Sequence, residues 1–164
     1  MPDTSLGITY PASSGHARIW EHFQTLADQV DALLLASRTW TSYTPVWTAA
    51  SSNPAIGNGS ITGRYLQWGD LVFASGLISM GSSTTYGSGE WRLTLPVAAA
   101  SLAYGGGGGI VDASNSTNDR AVGINLYSAT QIRFFTATGP ASAAVPFAWQ
   151  NTDTVNWTAV YEAA

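Results

Sequence analysis

At 164 residues, with 45% apolar side chains, 10% charged ones and a net charge of −4, the chain can bury a core. It has no clustered cations with which to displace counterions from a nucleic acid. Cysteine is absent, which excludes disulfides, thiolate metal sites and cysteine nucleophiles together.

Residues 1–15, MPDTSLGITYPASSG, read as an extended arm. Pro2, Gly7, Pro11 and Gly15 interrupt any helix, while Leu6, Ile8 and Tyr10 alternate as a strand would. Apolar residues on such an arm predict something to dock against. The stretch has neither a basic n-region nor an apolar h-region, so it is not read as a signal peptide. No apolar run approaches about 18 residues, so no membrane-spanning helix is expected.

His16 to Ser37 follows as one amphipathic segment. Ile19, Phe23, Leu26, Val30 and Leu33 recur in alternating steps of four and three, a period of about 3.5 residues that draws one narrow seam along a helix. Trp20, Ala27 and Leu34 widen that stripe, which suits three strands better than two. About 22 residues make a helix roughly 33 Å long, too short to be stable alone. The expected organisation is therefore an arm at 1–15, an oligomerising helix at 16–38 and a third unit at 39–164.

From Tyr43 onward, short runs of β-formers are cut by Gly, Asn, Pro and Ser. Strands are expected at Tyr43–Ala50, Ser60–Trp68, Leu71–Met80, Glu90–Leu95, Gly109–Ala113, Ala121–Tyr127, Gln131–Thr136 and Thr154–Glu162. Trp68-Gly69-Asp70-Leu71 is a hairpin signal. Eight strands at this spacing, with no second helix, predict a mainly β fold: an antiparallel, jelly-roll-like β-sandwich behind a trimeric coiled-coil-like helix.

Motifs that carry chemistry are few. The run Gly105–Gly109 lacks the following helix and Lys-Ser/Thr of a phosphate loop and reads as a flexible connection between strands. Asp112, Asn115, Asn118 and Asp119 make the loop at 112–119 rich in oxygen, but the spacing matches no EF-hand, and a polar turn is the favoured reading over calcium. Asp70, Glu90, Asp112, Asp119, Asp153 and Glu162 offer no pair with the fixed separation a glycosidase needs. His16 and His22 are six residues apart and do not share a helix face. No catalytic residue, cofactor or metal is assigned. Seven Trp and seven Tyr suit core, subunit contacts or stacking on sugars. Tyr86 and Tyr104 are the candidates for ligand contact.

The segment GITYPASSGHARIWEHFQTLADQVDALL resembles the N-terminus of small minor tail or fibre-like proteins of phages of actinobacteria. Tyr43-Thr-Pro-Val-Trp47, Ile56-Gly-Asn-Gly59, Gly63-Arg-Tyr65, Gly87-Ser-Gly-Glu-Trp91 and Leu95-Pro-Val97 are similar to features of the β-domain many of them share. Phe147-Ala-Trp149, Asp153 and Tyr161-Glu-Ala-Ala164 resemble its closing strand. The resemblance implies a virion protein assembled in the host cytoplasm, a homotrimer joined along Ile19, Phe23, Leu26, Val30 and Leu33. Leu6, Ile8 and Tyr10 would anchor it to other virion proteins. It implies a tail fibre or spike that binds the host surface, with a cell-wall glycan as its target, without catalysis. The alternative is a capsid-decorating spike held to the shell by the arm. Neither nucleic acid nor membrane is expected as a partner.

Overall fold

The computed structural model describes residues 19–36 and 39–164, with backbone alone for 19, 20, 36 and 101–104. The arm at 1–15, with Leu6, Ile8 and Tyr10, lies outside the described residues, as do His16 and Ser37. The chain divides into two units, Met1–Thr39 and Trp40–Ala164.

In the first unit, helix α1 runs Ile19–Ala36, 18 residues. Glu21 sits in its first turn, where a carboxylate complements the positive end of the helix dipole. The Thr25 hydroxyl donates to the Glu21 carbonyl at 2.8 Å, so this β-branched polar residue is satisfied within the helix.

The second unit is antiparallel β. Its strands are β1 (Thr41–Tyr43), β2 (Trp47–Ala49), β3 (Ser60–Trp68), β4 (Leu71–Ser79), β5 (Trp91–Thr94), β6 (Ala99–Val111), β7 (Arg120–Ser128), β8 (Gln131–Thr136), β9 (Gly139–Pro140) and β10 (Thr154–Ala163). They form one continuous sheet in the order β1-β3-β4-β10-β6-β7-β8-β5-β2, with β9 paired to β8. The expectation of a jelly-roll sandwich is corrected here, since its strands would be parted between two sheets.

The sheet curls on itself, and chain connectivity gives the reason. β1 and β2 stand at opposite ends of the sheet order, yet only Thr44, Pro45 and Val46 separate them. Four Cα steps of about 3.8 Å cannot hold the two edges more than roughly 15 Å apart. The single strand expected over Tyr43–Ala50 is thus two strands. Pro45 is buried at the break, where its missing N–H would have been lost to a ladder. Val46 is tied on both sides to Thr94: its N–H donates to the Thr94 hydroxyl at 2.8 Å, and its carbonyl accepts from the Thr94 N–H at 3.1 Å. Both sheet edges are thereby occupied by one short segment, which limits their exposure to other strands.

Alternate residues of β4, β7, β8 and β10 point into the curl. Val72, Ala74 and Ile78 of β4, Val155, Trp157, Ala159 and Tyr161 of β10, Val122, Ile124 and Leu126 of β7, and Ile132 and Phe134 of β8 belong to one buried cluster. Large rings fit there because glycine faces them. One inward row crosses the sheet as Gly63, Gly76, Trp157, Gly108 and Val122. A Cβ on Gly76 would stand 2.6 Å from the Thr62 carbonyl oxygen and 2.8 Å from the Trp157 ring, and one on Gly63 would stand 2.7 Å from the Tyr43 ring. Tyr43 and Trp157 meet edge to face, centroids 6.5 Å apart, a favourable quadrupole arrangement.

The run Gly105–Gly109 lies inside β6 and pairs residue for residue with Val160–Asn156 of β10. This corrects the reading of a flexible connection. A Cβ at Gly106 or Gly108 would run into the Thr158 or Asn156 carbonyl, so glycine permits a close approach of β6 to β10.

Candidate functional site

Three places combine exposed or polar chemistry with a defined geometry. The first is the seam of α1. Phe23 is 67% exposed, Leu26 41%, Val30 38% and Leu33 42%, and Leu34 and Leu35 are exposed beside them. These residues share the period of about 3.5, and each stands in solvent in the single chain. The side chain of Ile19 lies outside the described residues.

The second place is a groove of about 470 Å³ on the outward face of β1, β3, β4 and β10. Its walls follow from strand register. One outward row runs Ser42, Arg64, Ser75 and Thr158, and the adjacent row runs Thr62, Leu77 and Asn156. All seven line the groove. A second depression of about 270 Å³ shares Ser42, Thr62 and Gly63 with it and continues over Thr44. Asn156 Oδ1 accepts from the Gly109 N–H at 2.9 Å, which draws its amide toward β6. The Arg64 guanidinium lies over the Trp40 ring, 4.6 Å from its centroid, a cation–π contact that holds the side chain in place. Among the described residues no carboxylate faces Arg64.

The other arginines of this unit are committed. Glu90 binds Arg133 at 3.0 Å and Arg92 at 3.4 Å, and Arg92 also lies 3.6 Å from the centre of the Tyr127 ring. Arg120 donates to the Thr117 and Asp119 carbonyls, both at 2.8 Å.

The third place is the loop at 112–119. Asp112 is buried, and its Oδ1 accepts from the Ser114 N–H at 3.0 Å, the Ser114 hydroxyl at 2.6 Å and the Asn115 N–H at 3.0 Å. Its Oδ2 accepts from the Asn118 amide at 2.8 Å. The hydroxyl of Ser114 and the amide of Asn118 hold the Asp112 carboxyl below its ordinary range. Asp119 accepts from the Asp112 N–H at 3.0 Å. Asp153, fully buried, accepts from the Ala113 and Gln150 N–H groups at 3.0 and 2.7 Å. These carboxylates tie one loop to the start of β10, an arrangement in keeping with the polar turn read from the sequence.

Of the two tyrosines expected to touch ligand, Tyr86 is half-buried and stacks on Trp91 with centroids 6.4 Å apart. The Trp91 indole N–H donates to the Tyr86 carbonyl at 2.9 Å. Tyr86 thus belongs with Trp47, Trp91, Phe147 and Trp149, an aromatic cluster with centroids 4.7–4.9 Å apart along the chain of contacts. The backbone of Tyr104 lies in β6 opposite Tyr161, and its side chain lies outside the described residues. Sequence reading missed the Trp40–Arg64 pair. The available signal was Gly63-Arg64-Tyr65, a lone cation among β-formers.

Among the described residues no helix is long and apolar enough to cross a membrane. No family model matches the chain, and no solved structure matches it. Over 124 residues it is 30% identical to the Mu-like prophage FluMu defective tail fiber protein of Haemophilus influenzae (strain ATCC 51907 / DSM 11121 / KW20 / Rd). That alignment takes in 73% of this chain and 20% of the relative, so the chain spans about a fifth of that protein's length. The relative bears on the tail-fibre part of the resemblance drawn above, and not on a phage of actinobacteria.

Proposed function

We propose that the chain is a structural component of a phage tail, a fibre-like protein that presents a β head for binding and carries out no catalysis. The observation that carries this reading is the 30% identity to a prophage tail fibre protein across 73% of the chain. The exposed seam of α1 supports an oligomeric neck. Four large apolar side chains at a heptad period remain in water unless another helix covers them. Three copies along Ile19, Phe23, Leu26, Val30 and Leu33 would align three heads, and residues 1–15 would join the assembly to other virion proteins. Three heads make weak contacts with a repeated surface glycan additive by avidity.

Labelling the protein in intact particles tests the reading. Signal on the tail, together with loss of adsorption when the gene is deleted, is the expected outcome. Signal on the shell with normal adsorption would overturn it in favour of a capsid decoration.

A further inference from the structure

We propose that the groove between β1, β3, β4 and β10 binds an acidic saccharide, with Arg64 receiving the sugar carboxylate. This deepens the host-contact reading above and rests on it. The groove holds hydroxyls with no partner among the described residues, those of Ser42, Thr62, Ser75 and Thr158. They project from neighbouring strands in two adjacent rows. Such a set matches a ligand that offers hydroxyls at every ring position and little apolar surface. The volume of about 470 Å³ lies within the usual range of small-molecule sites, about 300–1,000 Å³, and the adjoining depression of about 270 Å³ extends it for a further ring.

The charge selects the class of sugar. In this acidic chain Arg92 and Arg133 share Glu90, and Arg120 is bound to carbonyls. Arg64 alone among these four faces no acceptor. Trp40 holds its guanidinium from one side and leaves the fork of N–H donors for a planar anion, which a carboxylate matches in two parallel hydrogen bonds. Trp40 is not among the residues lining the groove and bears on the ligand through its hold on Arg64.

The test is calorimetric titration of the full chain with tetragalacturonate and with a short α2,8-linked sialic acid oligomer, using maltotetraose as the uncharged probe. At least one acidic probe is expected to bind. Arg64→Gln should weaken that binding tenfold or more and Trp40→Ala severalfold, while Arg120→Gln, the same charge change elsewhere, leaves it intact. Failure of both acidic probes to bind, equal affinity of Arg64→Gln, or equal binding of maltotetraose would overturn the proposal. Binding of the labelled chain to host cells separates the two readings. If cells are bound equally by the wild type and Arg64→Gln, the host-contact reading stands and the groove is not its site. If the acidic probe binds through Arg64 but cells are not bound, the groove stands and the host-contact reading falls.

Discussion

The helix and the β unit treat their apolar residues in opposite ways. In the β unit, alternate strand positions turn inward, and Trp91, Phe134, Leu93, Ile132 and Val155 have no exposure left. In α1 the seam of Phe23, Leu26, Val30 and Leu33 stands in water. The β unit therefore has a core of its own within one chain, although Trp68, Leu71, Phe73 and Leu77 stay exposed on its outer face. An isolated helix of 18 residues is marginal, and one that borrows its core from other copies is stable only by mass action. Experiments that break this contrast can be ranked by what they take from the β unit.

The largest loss is expected from Trp91→Ala. The indole is fully buried, meets Trp47 and Trp149 with centroids 4.8 and 4.7 Å away, and donates to the Tyr86 carbonyl. Truncating a buried Trp costs about 3–5 kcal/mol, so denaturant unfolding should move by that much. A change below about 1 kcal/mol would mean that the aromatic cluster does not hold the unit together.

A smaller loss is expected from Gly76→Ala. The new Cβ would meet the Thr62 carbonyl oxygen at 2.6 Å and the Trp157 ring at 2.8 Å, and neither is the free end of a flexible side chain. Overpacking of this kind costs about 1–3 kcal/mol. Gly69→Ala is no fair control, because φ is positive there. Gly123→Ala is, since its Cβ would meet nothing within 4 Å, and it should be close to neutral.

These glycines also mark where the sequence was legible. β3 and β8 occupy the spans read from alternation, Ser60–Trp68 and Gln131–Thr136, because each carries its own inward and outward pattern. β6 does not, since five glycines have no side chains to alternate and low strand propensity. What makes them a strand is β10 alongside, a contact distant in sequence. The closure at Tyr43–Trp47 was equally hidden. Pro45 announces a break, but only the sheet order shows that the break joins two edges. In the groove, each of Ser42, Arg64, Ser75 and Thr158 reads as an ordinary outward strand residue, and the register of four strands is what brings them into one row. The helix Ile19–Ala36, by contrast, was plain because its period is local.

The two ends of the pH range should weaken the β unit through different groups. Hydrogen bonds hold the Asp112 carboxyl below its ordinary value of 3.8. A depressed pKa means stability that is whole above 3.8 and lost as pH falls through the lower folded value. Burial pushes Tyr161 up from 10.0 to about 12, and its hydroxyl donates to the Val97 carbonyl at 3.0 Å, a bond that only the protonated form makes. A raised pKa means stability that is whole below pH 10 and lost as pH rises toward 12. Thermal unfolding followed against pH should show a plateau between these limits. Asp112→Asn should flatten the acid edge and leave the alkaline one alone. An unchanged acid edge in that variant would remove Asp112 from its cause.

The smallest effect on the β unit, and the clearest on the molecule, should come from Val30→Asp. Valine and aspartate have similar helix propensity, and Val30 is 38% exposed in the single chain, so the substitution removes nothing that one chain needs by itself. Its β unit should unfold within about 0.5 kcal/mol of the wild type. In an assembled seam the same carboxylate would be buried beside its own copies, unpaired and mutually repelling. Sedimentation should therefore show a drop in mass without a drop in head stability, and Leu26→Asp should repeat it. An oligomer that survives both substitutions would remove the seam as the source of assembly. Loss of head stability along with loss of mass would show that the two units are not independent, and the contrast drawn between them would fail.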